Sequence, residues 1–140
     1  NLNKVNNFDK KSDVISCFET MEHVGSSLNA IKNLKEASHK GSIILISVPI
    51  EIGFVGIIKY FVKRFLFKYE LPLNCNDFEY VSALLTSKNI NQYRKNAEGY
   101  GSHFGFDYRI IDEEIKLEFP NCKVEKWNKI TTRFYRIEVV

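Results

Sequence analysis

The chain has 140 residues, 44% of them apolar and 26% charged, and a net charge of +3. That length and balance fit one domain with a single hydrophobic core and exclude a disordered or fibrous chain. So small a basic excess argues against a nucleic-acid partner, and three scattered cysteines without a C-x-x-C pair (Cys17, Cys75, Cys122) point to a reducing, cytoplasmic compartment rather than a disulfide framework.

"DVISCF" (13–18) is a β-branched run that reads as a buried strand, and it opens into "CFETMEHV" (17–24), where Glu19, Glu22 and His23 cluster. The next stretch, 26–41, reads as a helix with Leu28, Ile31 and Leu34 on its apolar stripe. Ser26 or Ser27 can cap its start, Gly41 can end it, and His39 is expected on the helix-end carbonyls. "SIILISVP" (42–49) is nearly all apolar, as a strand covered on both faces should be, and Pro49 marks its exit. Strand, helix and strand at this spacing predict a parallel βαβ unit.

From Gly53 to Lys68 the period is helical: Phe54, Ile57, Ile58, Phe61 and Phe65 share a face, with Lys59, Lys63 and Arg64 mostly off it. Pro49, Glu51 and these cations argue against a membrane span over the apolar stretch 43–67, and no secretory signal is read at the start. A second helix is expected within 76–96, an aromatic loop over 97–109 and a short helix over 111–119. The alternating ends, "CKVEKW" and "ITTRFYRIEVV", predict an antiparallel hairpin joined at Asn128-Lys129. The whole is a single α/β domain, 1–140, with parallel strands finished by a C-terminal hairpin and a helical insertion at 53–100.

In this order the elements resemble the C-terminal half of class I S-adenosylmethionine-dependent methyltransferases, a Rossmann-like fold. The matching features are Ser12-Asp13 opening a strand, the E-x-x-E-H turn at Glu19 to His23, Lys40-Gly41-Ser42, and Ser47-Val48-Pro49. The resemblance assigns the two strands to the family's fourth and fifth. The hairpin becomes its sixth and seventh, the last inserted antiparallel. The family's glycine-rich cofactor turn and ribose-binding acid have no counterpart here, so the chain is expected to be the later part of a methyltransferase domain and inactive by itself. Without the family's first strand, 13–18 is an open edge that a second copy or further N-terminal residues would cover.

The resemblance also implies roles. Cys17, Phe18 and Glu19 would contact S-adenosylmethionine, and Glu22 and His23 would face the acceptor, a small molecule or glycan methylated at oxygen, with segment 53–100 as substrate cover. His23 has the intrinsic pKa of a base for a hydroxyl proton, and the same Glu–His pair also suits a bracing role. An alternative resemblance is to metal-dependent small-RNA 2′-O-methyltransferases, through "GSHFGFDYRIIDEEIKLEF" (101–119). It implies a divalent ion held by Glu19, Glu22, His23 and His103. A non-catalytic half-domain serving as scaffold is the reading from another class.

Overall fold

A computed structural model describes residues 2–68, 73–86, 88–94 and 104–140. Its elements are β1 (Val14–Phe18), α1 (Ser27–Glu36), β2 (Ile43–Pro49), α2 (Gly53–Phe61), α3 (Asp77–Leu85), α4 (Tyr108–Glu118), β3 (Lys123–Lys129) and β4 (Thr132–Glu138). They form a mixed α/β fold around an open four-stranded sheet of order β1-β2-β4-β3. β1 and β2 are parallel, and β4 lies between β2 and β3, antiparallel to both.

The register sorts the side chains by face. Cys17, Ile46 and Tyr135 form one inward row, and Ile15, Ile44, Ile137 and Val124 another. They pack with Ala30, Ile31 and Leu34 of α1 and Ile111 and Ile115 of α4 into the sheet core. Burying each of these isoleucines is worth about 1.5–3 kcal/mol, which fixes the register because a one-residue slip would turn them to water. The other face is left half-exposed: Val14 is 61% and Phe18 53% accessible. β1 is also an edge of the sheet.

A second, separate core joins the insertion, with Tyr60 of α2, Tyr80, Ala83 and Leu84 of α3, and Ile90 and Phe104. Gly56 is what lets α2 dock, since a Cβ there would lie 2.3 Å from the Glu51 carbonyl oxygen. Among the described residues no helix is long and apolar enough to cross a membrane.

Several boundaries differ from those read in the sequence. α1 is capped by Ser26, whose Oγ accepts from the Asn29 N–H, but it ends at Glu36. Gly41 takes its φ of +93° in the turn into β2, where its N–H donates to the Val139 carbonyl. His39 bonds Asp13 and the Lys40 carbonyl rather than the helix end. The helix expected within 76–96 stops at Leu85, where the Thr86 hydroxyl donates to the Ser82 carbonyl at 2.7 Å. Asn89 then caps a short 3-10 turn, Ile90–Tyr93. α4 starts at Tyr108 because Asp107 accepts from the Arg109 N–H. The hairpin turns at Ile130-Thr131, two residues beyond Asn128-Lys129. Most of the aromatic loop, residues 97–103 of 97–109, lies outside the described residues.

Candidate functional site

The carboxyl ends of parallel strands are where open α/β sheets bind ligands. Here the end of β1 is built by Glu19, which has a φ of +46°. That left-handed conformation costs a side chain other than glycine about 1–2 kcal/mol. Its partner on β2 compensates: the Glu19 N–H donates to the Ser47 carbonyl at 3.1 Å, and the Ser47 hydroxyl donates to Glu19 Oε1 at 3.1 Å. The sharp bend launches the 3-10 turn Met21–His23, in which the His23 N–H donates to the Thr20 carbonyl. Met21 drops into the sheet core.

The turn buries Glu22 completely. His23 Nε2 stands 3.7 Å from Glu22 Oε1, with the imidazole 41% exposed. Arg94, from the far end of the insertion, donates to the Glu22 main-chain carbonyl at 2.6 Å. Burial pushes the Glu22 carboxyl pKa up, with Glu19 adding to the rise and a backbone hydrogen bond, His23 and Arg94 opposing it. Burial also lowers the Arg94 pKa, while Glu22 holds it up. Arg94 lies 5.8 Å from the Phe106 ring centroid, and Gly105 makes room for it: a Cβ there would lie 2.4 Å from Arg94 Cγ. The Gly105 N–H in turn donates to the Tyr80 hydroxyl at 3.0 Å, which ties the site to the insertion core.

Beside this cluster lies a cleft of about 110 Å³ lined by Met21, Val24, Ser27, Arg94, Phe106 and Asp107. Ligand pockets for drug-sized molecules run to about 300–1,000 Å³, so the cleft is sized for a small group or a few waters.

The structure brings Glu19, Glu22 and His23 to one mouth. Phe18 is at the same strand end with its ring on the open sheet face. Cys17 is different: its thiol points into the sheet core, where burial raises its pKa, so a contact at the mouth would come from its backbone. His103 lies outside the described residues. Among the described residues no three His, Cys, Asp or Glu side chains gather into a metal-binding group. The Glu19 carboxylate accepts from Ser47, and the Arg94 guanidinium already acts as a positive charge on Glu22.

Two residues of the mouth, Ser47 and Arg94, and the buried Glu51 beyond β2 are not singled out by the sequence. Ser47 was read only as part of a strand end, and Arg94 only within a helix. Glu51, which follows β2, is buried and ion-paired to Lys59 at 2.8 Å. A carboxylate directly after a buried strand was the available signal for Glu51. No known protein-family model matches the chain, and no curated protein matches it.

Proposed function

We propose that these residues form the C-terminal half of a class I S-adenosylmethionine-dependent methyltransferase domain that methylates a hydroxyl of a small molecule or glycan. The observation that carries this reading is the strand order, with β4 antiparallel between β2 and β3. That is the order the resemblance implies for the family's fourth, fifth, seventh and sixth strands. The half-exposed face and open edge of the parallel pair support it as well, because parallel sheets are ordinarily covered on both faces. The small cleft fits one side of a larger pocket.

When bound, S-adenosylmethionine would supply an electrophilic methyl group on a sulfonium sulfur. Methylation of a hydroxyl would also need a base at the mouth to take up the hydroxyl proton. His23 is the accessible base at the mouth, and the buried Glu22 carboxyl 3.7 Å from its Nε2 steadies the imidazolium that results. Phe18, half-exposed at the end of β1, offers an apolar wall.

The test uses the full-length protein that carries this chain, methyl-labelled S-adenosylmethionine, and a panel of hydroxylated small molecules and glycans. Label is expected in product, and His23→Gln should slow transfer by about 10²-fold or more while cofactor binding persists. A full-length protein that fails to bind S-adenosylmethionine in equilibrium dialysis overturns the reading.

A further inference from the structure

Residues 53–68 comprise α2 and the π-helical turn Val62–Leu66 that continues it, and their polarity is inverted for a helix in water. Phe54, Ile58, Phe61 and Phe65 recur every three or four residues on one face and are 76%, 48%, 46% and 65% exposed. Leu66 and Phe67 extend this surface at its end. Three of the four cations of the stretch are less exposed than these side chains, and Lys68 is exposed. Lys59 pairs with Glu51, Arg64 pairs with Asp77, and the Lys63 ammonium sits 4.4 Å from the Phe104 ring centroid. The inner face is already used, since Gly56 and Tyr60 are buried. An aromatic ridge of this kind on the outside marks a contact surface.

We propose that this ridge lies on an anionic phospholipid surface, with its phenylalanines in the headgroup–acyl boundary. Lys63 and Lys68 then stand at headgroup level. Charge selects this occupant. Residues 53–68 contain four cations, Lys59, Lys63, Arg64 and Lys68, and no acidic residue; Lys59 and Arg64 are paired with Glu51 and Asp77, so the charge this face offers rests on Lys63 and Lys68. A second copy docking face to face would oppose those cations with the same set, whereas an anionic bilayer complements them. The geometry is that of an interfacial helix: one apolar face for the acyl boundary and basic side chains that reach the headgroups. This inference does not depend on the methyltransferase reading.

The test mixes the chain with vesicles of phosphatidylcholine alone and of equal parts phosphatidylcholine and phosphatidylserine, then separates bound from free protein by sedimentation. Binding is expected to the anionic vesicles only. It should weaken steeply with salt, as the screening length falls from about 10 Å at 0.1 M to about 3 Å at 1 M. Phe61→Ser combined with Phe65→Ser should weaken it about tenfold per ring removed, with an unchanged circular dichroism spectrum because both rings are surface groups. Lys63→Gln with Lys68→Gln should flatten the salt dependence. The proposal is overturned if the wild-type chain ignores anionic vesicles or binds neutral ones equally. It is also overturned if the phenylalanine variants abolish a self-associated form while the wild type binds no lipid.

Discussion

Glu19 allows the left-handed bend at the mouth to be weighed separately from the hydrogen bond that accompanies it. Glu19→Ala and Glu19→Gly remove the same carboxylate, the same bond from Ser47 and the same charge near Glu22. They differ only in whether a Cβ remains at a φ of +46°. Loss of the bond costs each variant about 1 kcal/mol. Alanine keeps the left-handed strain, whereas glycine relieves about 1–2 kcal/mol of it and gives part back as extra chain entropy in the unfolded state. Glu19→Ala should therefore be about 1 kcal/mol less stable than Glu19→Gly, and Glu19→Gly should sit near wild type. With an unfolding entropy of about 2.1 cal/mol/K per residue, 1 kcal/mol in a chain of this length corresponds to about 3 °C in Tm. Urea melts at fixed pH, with equal m-values for both variants, provide the measurement. An alanine variant as stable as the glycine variant would refute the idea that the mouth stores strain.

Burial raises the Glu22 pKa above its usual 4.5, so the folded chain keeps that proton to higher pH than the unfolded chain, and wild type loses stability as pH rises from about 4.5 through the raised value. Glu22→Gln lacks this slope, so its stability relative to wild type should increase over that window in urea melts and then level off; a pH-independent difference contradicts the assignment. Gly56→Ala forces a Cβ to within 2.3 Å of the Glu51 carbonyl oxygen, and an overpacking cost of about 1–3 kcal/mol should outweigh the gain of about 1 kcal/mol in helix propensity. A lowered urea midpoint is the expected result, and an unchanged one would show that α2 can move away freely. Without a glycine-rich turn, these 140 residues alone should bind S-adenosylmethionine weakly or not at all in calorimetry; micromolar affinity would mean that another segment supplies the turn. The open edge of β1 should make the chain self-associate at high concentration, and a strict monomer in sedimentation equilibrium would count against that.

What the sequence disclosed followed from the range of the interactions. β1 and β2 were legible because their β-branched residues meet a core, and the hairpin because its two strands alternate. Its turn was misplaced since Asn128 looks like a turn residue. In the fold Arg133 donates to Asn128 Oδ1 and Trp127 stacks on Phe134 with centroids 5.5 Å apart, and these contacts carry the ladder to Lys129. The break after α3 has a local sign, Asn89 as a cap, but the helical periodicity of 76–96 runs across it. Glu19, Glu22 and His23 were visible as a group because they are neighbours in the chain. Arg94 was not, because its bond to the Glu22 carbonyl spans 72 positions and nothing local encodes it.

The described residues pack around two centres, not one, and this shapes how the chain can come apart. The sheet core draws on both ends of the described sequence, whereas the insertion core is a smaller set of residues between Tyr60 and Phe104. Units of that kind open independently and at different free energies. Amide protons of α3 should therefore exchange with solvent sooner than those of β2, in a partial opening that leaves the sheet intact. Arg94 belongs to the segment that opens, so each such excursion lifts its guanidinium from the Glu22 carbonyl. The mouth of β1 is thus disassembled in a small fraction of molecules, a population set by the smaller core's stability and readable by hydrogen exchange.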